Sequence, residues 1–213
     1  MAEELLNGVE PIEIEDKTKL LFGLRKKSDG TLKAVTKEDY SSYDKRSWAL
    51  DGIVVRNEDE DVNLLCDVVE KTCIYGDGPL DIPETDKRRK NAPSNPSFNE
   101  LDGQIKTQYQ LDNHAETHES GCAICEAVKF GWLPSCGEMG KIVGRKEAFD
   151  ELAEICGGDK LLASMYYCST QYNPDYMWCY NMQSQAFEFW HSKTTQMGVR
   201  AVKSAADYIE DEE

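Results

Sequence analysis

An α+β fold is predicted for this chain by three observations. Residues 19 to 69 carry hairpin signals, with β-rich runs on either side of short turns. Between Ser120 and Gly158 the apolar spacing changes to that of helices, bounded by caps and glycine stops. From Lys160 onward the pattern returns to strands rich in tyrosine and tryptophan. Strands, then helices, then strands on a chain of 213 residues suit one domain with a core of its own.

The elements follow in order. Residues 1–18 read as an extended arm, because Glu10-Pro11-Ile12-Glu13-Ile14-Glu15 alternates polar and apolar residues. Ile12 and Ile14 are its anchoring residues, the kind that add a strand to a neighbour's sheet edge. Lys19 to Arg25 and Thr31 to Val35 flank Ser28-Asp29-Gly30, an Asp-Gly turn that predicts a hairpin. Thr36-Lys37-Glu38-Asp39 has capping-box spacing and predicts a short helix through Tyr43. Gly52–Arg56 and Val62–Val69 predict an antiparallel hairpin. The acid-rich stretch Asn57-Glu58-Asp59-Glu60-Asp61 between them lacks the spaced ligands and glycine of an EF-hand, so it reads as a solvated turn.

Residues 74–115 are rich in Pro, Asn, Asp and Gly and read as a surface loop excursion. They hold the basic run Asp86-Lys87-Arg88-Arg89-Lys90, an exposed loop that suits an acidic neighbour. Ser120 to Phe130 predicts a helix with Ser120 as N-cap, Cys122, Cys125 and Val128 on one face, and Gly131 as the stop. Together with His114 and His118 upstream, Cys122 and Cys125 supply two nitrogens and two sulfurs, a set that zinc accepts in tetrahedral geometry. On one continuous helix Cys125 would lie three turns from His114, and only a break at Gly121 would bring the four together. The helix-face reading is preferred, and no metal or cofactor is expected.

Ser135 and Glu138 have the spacing of a second capping box. After Gly144, the residues Phe149, Leu152, Ile155 and Cys156 recur at helical spacing, and Gly157-Gly158 ends that helix. Four strands are then predicted: Leu161–Ser169, Tyr176–Met182, Ala186–Trp190 and Gly198–Lys203. Residues 206–213 read as an acidic, frayed tail.

Composition narrows the function. Net charge is −16, from 40 acidic and 24 basic residues, which argues against a nucleic-acid partner. No apolar run approaches the roughly 20 residues of a membrane helix, and the acidic start Met1-Ala2-Glu3-Glu4 is unlike a signal peptide, so no membrane insertion is expected. The eight cysteines sit mostly among apolar neighbours and read as small, reduced core residues. No nucleophile–base pair or convergent set of acids stands out, so no catalytic residues are named.

Four motifs carry a resemblance. They are Gly131-Trp132-Leu133-Pro134-Ser135-Cys136-Gly137-Glu138-Met139, Tyr167-Cys168-Ser169-Thr170-Gln171-Tyr172, Met177-Trp178, and Val199-Arg200-Ala201-Val202. Together they resemble the C-type-lectin-like domains of phage and gut-bacterial surface proteins. That family includes phage tail and head-fibre proteins and the variable proteins of diversity-generating retroelements, and its fold is similar to that of formylglycine-generating enzymes. The resemblance covers residues 131–203 well and residues 19–130 only in element order, and it implies a C-type-lectin-like domain over 19–205. Position 168, usually Trp in the family, is Cys here. The cysteine pair of the formylglycine chemistry is missing, and so are the acidic residues that would accompany Asn173-Pro174-Asp175 in a calcium sugar site.

The resemblance implies a ligand surface in the last strands and their loops. Here that surface is Tyr172, Asn173, Asp175, Tyr176, Tyr180, Asn181, Gln183, Gln185, Trp190 and His191, a paratope-like mixture of rigid aromatics and adaptable amides. Trp178, Phe187 and Phe189 are expected in the core and Arg200 in a buried pair. The function implied is that of a non-enzymatic virion structural or binding protein, in a phage fibre or capsid decoration, with other virion proteins or a host-surface receptor as partners. A homo-oligomer is expected, a trimer by analogy with the family. A retroelement-diversified binding protein is the alternative, and an enzyme of the formylglycine-generating type is a third.

Overall fold

The computed structural model describes residues 20–56, 63–76, 101–114, 121–172, 176–189 and 191–209. Within them the chain is α+β, with two five-stranded, mainly antiparallel sheets and five helices. Strands β1 (Leu21–Lys26), β2 (Leu32–Val35), β3 (Trp48–Val55), β4 (Leu64–Cys66) and β10 (Val202–Ser204) form the first sheet, in the order β10-β4-β3-β1-β2. Strands β5 (Lys71–Cys73), β6 (Met165–Gln171), β7 (Met177–Asn181), β8 (Ala186–Glu188) and β9 (Met197–Val199) form the second, in the order β5-β9-β6-β7-β8. The helices are α1 (Lys37–Tyr40), α2 (Gly103–His114), α3 (Ala123–Ala127), α4 (Cys136–Val143) and α5 (Lys146–Cys156).

Local signals place several of these elements. Asp29 accepts from the Thr31 amide at 3.0 Å and Gly30 takes φ +79°, which turns β1 into β2. The Thr36 hydroxyl caps α1 by accepting from the Asp39 amide at 3.2 Å. Ser135 and Glu138 form the full capping box of α4. Gly157, at φ +74°, ends α5 in the left-handed conformation.

The two sheets are joined by a ribbon that changes partners midway. β3 pairs with β4 as the predicted hairpin, and β4 pairs with β10. A few residues along each segment, β5 pairs with β9 in the other sheet. The sequence reading of a single strand at 198–203 is therefore corrected. Strand β10 does share a sheet with the hairpin, as expected, but the chain breaks at Arg200-Ala201 and β9 lies in the second sheet. At the switch the Asp67 amide donates to the Ala201 carbonyl at 2.9 Å, and Trp132 exchanges two backbone hydrogen bonds with Val202, at 2.8 and 3.0 Å.

The main core lies between the first sheet and helices α4 and α5. Phe22, Ile53 and Leu64 meet Met139, Ile142 and Phe149 there, with Tyr166, Cys168 and Trp178 from the second sheet. A second core gathers Tyr75, Ile124, Leu133, Tyr167 and Met197. The opposite face of the first sheet is covered at Leu21, Val54 and Leu65 by Tyr208. All eight cysteines stand outside disulfides; six are buried, and Cys125 and Cys156 are half-buried.

Three further readings are corrected. Residues 103–114 of the expected loop excursion are helix α2, which packs its polar face inward: Thr107 and Gln110 are buried, and the Tyr75 hydroxyl donates to Gln110 at 2.7 Å. A helix of low hydrophobicity hides in a polar stretch because its docking uses hydrogen bonds. Residues 206–208 of the expected tail form a docked turn, in which the Tyr208 hydroxyl donates to Asp51 at 2.7 Å. The strand expected from Leu161 begins only at Met165, because the Leu161 amide is held by Asp150 at 2.7 Å.

Candidate functional site

The candidate site is the β7–β8 hairpin, which is an edge of the second sheet among the described residues. Strand β7 is held on one side by β6, which pairs Tyr166 with Tyr180 and Tyr167 with Cys179. On its other side β8 pairs Tyr180 with Phe187 and Asn181 with Ala186. Trp178 points from β7 into the main core.

The turn between the strands is organised by Asn181. Its side-chain oxygen accepts from the amides of Gln183 at 2.8 Å and Ser184 at 3.2 Å, an Asx arrangement that replaces backbone pairing. Its amide group donates to both oxygens of Glu188 at 3.1 Å. The Ser184 hydroxyl donates to Glu188 at 2.8 Å, and the His191 ring lies 3.3 Å from the same carboxylate. Desolvation pushes the Glu188 carboxyl up, but the hydrogen bonds from Asn181, Ser184 and His191 outweigh it and hold it below the usual carboxylate range. Glu188 is thus an ionised post around which the turn is tied. The turn closes with Gln185 at φ +53°, a conformation glutamine seldom takes.

The predicted surface residues separate into distinct roles. Tyr176 is 37% exposed, and Gln183 and Gln185 are exposed. Tyr180 is half-buried, edge-on to Phe187 at 5.1 Å. Tyr172, expected at the surface, packs against the main core instead: it stacks on Phe189 at 3.9 Å and meets Trp178 edge-on at 5.6 Å. Asn181 and His191 face Glu188 and serve the hairpin itself. Asn173, Asp175 and Trp190 lie outside the described residues, as do Ile12, Ile14 and the basic run 87–90.

Sequence reasoning missed Glu188. In Phe187-Glu188-Phe189, alternation predicts the aromatics inside and the acid outside. Glu188 is 8% exposed and both phenylalanines are half-buried, because polar partners gather on its face of this edge strand. The spaced polar residues Asn181, Ser184, Glu188 and His191 were the available signal.

The expected continuous helix face for Cys122 and Cys125 is corrected. Gly121 has φ +94° and stands outside the helix, and the N-cap of α3 is Cys122, whose sulfur accepts from the Cys125 amide at 3.2 Å. His118 and the proposed cap Ser120 lie outside the described residues, and only the backbone of His114 is described, as the last residue of α2. Among the described residues no group of three His, Cys, Asp or Glu side chains is placed to hold a metal ion, and no helix is long and apolar enough to cross a membrane.

Comparison with protein-family models, with curated proteins and with solved structures finds no match to this chain.

Proposed function

We propose that this chain is a non-enzymatic recognition module with a C-type-lectin-like fold, acting as a structural or binding protein of a bacteriophage particle, in a fibre or a capsid decoration. It works as an oligomer anchored through residues 1–18. The observation that carries the reading is the β7–β8 hairpin. Gln183 and Gln185 stand outward on a turn whose backbone is fixed by Asn181 and Glu188, and Tyr176 is exposed at the other end of β7. A surface held in this way loses little freedom on binding, and tyrosines and amides supply contact area and adaptable hydrogen bonds. The lectin-like fold is supported by the pairing of β4 with β10, which brings a late strand back beside an early hairpin. It is also supported by the place of the motif residues, since Trp132 bridges to Val202 and Ser135 and Glu138 cap α4.

The test is immunogold labelling of particles released from cells that carry the gene. The expected result is label on the particle surface, lost when the protein is depleted from the particles. Protein found in the cell envelope or lysate but never on particles overturns the reading, and envelope labelling favours the diversified surface protein.

A further inference from the structure

A second concave feature lies away from the hairpin, where α1 and the end of α5 meet the β1–β3 pair. It is a half-open cleft of about 310 Å³ walled by Leu24, Tyr40, Tyr43, Trp48 and Leu50. Tyr43 meets Trp48 edge-on at 5.6 Å, and Trp48 and Leu50 are half-buried. Two exposed lysines belong to it. Lys27 Nζ donates to the Lys45 carbonyl at 2.9 Å, and the Lys45 ammonium lies 5.3 Å from the Tyr40 ring centroid. Asp44 sits near Lys27 and is held ionised by the Arg46 amide at 3.0 Å and the Ser47 hydroxyl at 2.8 Å, but it does not line the cleft, whose charged lining residues are Lys27 and Lys45. The cleft is therefore apolar and aromatic inside and cationic outside, on a chain of net charge −16.

We propose that this cleft receives residues 11–15 of a second copy of the chain, so that the arm links copies head to tail. The proposal rests on the oligomer in the functional reading above and gives its arm a docking site. The chemistry matches residue for residue. In an extended Pro11-Ile12-Glu13-Ile14-Glu15, alternate side chains share a face. Ile12 and Ile14 then enter the aromatic cleft together, while Glu13 and Glu15 stay at the level of Lys27 and Lys45. Pro11 keeps the residue before it extended. Between Ile14 and Leu20 the extended chain spans about 20 Å, enough to leave its own domain. A second copy is favoured over the chain's own cleft by direction. β1 runs from Leu21 toward the cleft at Leu24, so an arm returning to its own cleft has to reverse immediately before β1. The stretch Glu15-Asp16-Lys17-Thr18-Lys19 holds neither glycine nor proline for such a reversal, and Asp16 is its one strongly turn-favouring residue.

The experiment uses the full chain and light scattering. K27E/K45E disables the cleft at two exposed positions, and I12D/I14D disables the arm. Wild type is expected to run as an oligomer and each variant as a monomer, with wild-type urea midpoints. An equimolar mixture of the two variants is expected to form a dimer, because one intact arm meets one intact cleft. Wild-type protein that is monomeric overturns both this proposal and the oligomer it rests on. Wild-type assembly that survives K27E/K45E, or a mixture that stays monomeric, overturns the docking site alone.

Discussion

Arg200, fully buried, and Glu70, half-buried, form an ion pair at the point where the chain passes from one sheet to the other. Arg200 Nη2 donates to Glu70 Oε2 at 2.9 Å, and the Tyr166 hydroxyl donates to the same oxygen. The guanidinium has no solvent exposure. It also donates to the carbonyls of Asp67 at 3.2 Å and of Asp159 and Lys160, both at 3.0 Å, and lies 5.3 Å from the Phe149 ring centroid. One side chain thus gathers the β4–β5 switch, the α5–β6 connection and the β9–β10 switch. Arg200→Met takes away the counter-charge of Glu70 and leaves three carbonyls without this donor, and the expected cost is about 3–5 kcal/mol. Arg200→Lys recovers little of it, because one ammonium cannot reproduce a planar fork of donors. Urea denaturation of both variants measures this; a loss under 1 kcal/mol for either removes the argument.

Glu138 gives a pH dependence with a defined sign. It accepts from the Ser135 amide at 2.7 Å and from the Trp132 indole at 3.3 Å. Burial raises its carboxyl above the usual 4.5, the hydrogen bonds from Ser135 and Trp132 pull it down, and the Asp102 charge adds to the rise; the net shift is upward. The folded state then binds this proton more tightly than the unfolded chain does. The associated stability is full below the ordinary glutamate range and is lost as pH rises through the raised folded value. Glu138→Gln removes that loss. The urea midpoint of the variant, relative to wild type, is expected to improve from pH 4.5 to 7; a gap that is constant or shrinks contradicts it.

Gly103 begins α2 directly against that capping box. A Cβ at this position would lie 2.2 Å from Glu138 Oε2, 2.7 Å from the Ser135 nitrogen and 2.8 Å from the Leu133 carbonyl. Two of these atoms are backbone, so α2 itself has to move. Gly103→Ala is expected to destabilise by about 1–3 kcal/mol, although alanine is the better helix former. Thermal unfolding of the variant at or above the wild-type midpoint refutes the close approach.

The hairpin makes a prediction that separates packing from recognition. Tyr172→Ala removes the stack on Phe189 and is expected to cost about 3 kcal/mol. Tyr176→Ala changes stability by about 0.5 kcal/mol or less, because the ring is partly in solvent. Binding of the Tyr176 variant to depleted particles is expected to fall about tenfold, the effect of losing one interface anchor. Equal binding by wild type and the Tyr176 variant counts against the hairpin as the recognition surface.

The local elements were legible because their causes are local. Asp29-Gly30 makes its own turn, Ser135 and Glu138 cap a helix within one turn, and Gly157 stops one by accepting a left-handed backbone. The paratope-like composition of 172–191 and the buried pairing of Arg200 were also readable from residue type. Two features were not. Helix α2 carries few apolar residues, so its inward face is recognisable only beside Tyr75 and Leu133, to which it hydrogen-bonds. Tyr172 reads like its exposed neighbours until Phe189 is placed 3.9 Å from its ring.

The amino-acid sequence by itself determined the α+β class, the order of hairpins and helices, and which residues are amphipathic, because periodicity and capping act over a few residues. Only the tertiary structure decided that the 197–204 segment divides between two sheets and that Glu188, not an aromatic, anchors the hairpin. The pairing partners of the 197–204 segment lie more than a hundred residues away, as Lys71 does from Val199, and a strand's choice of neighbour depends on the burial and hydrogen bonds that distant segments supply.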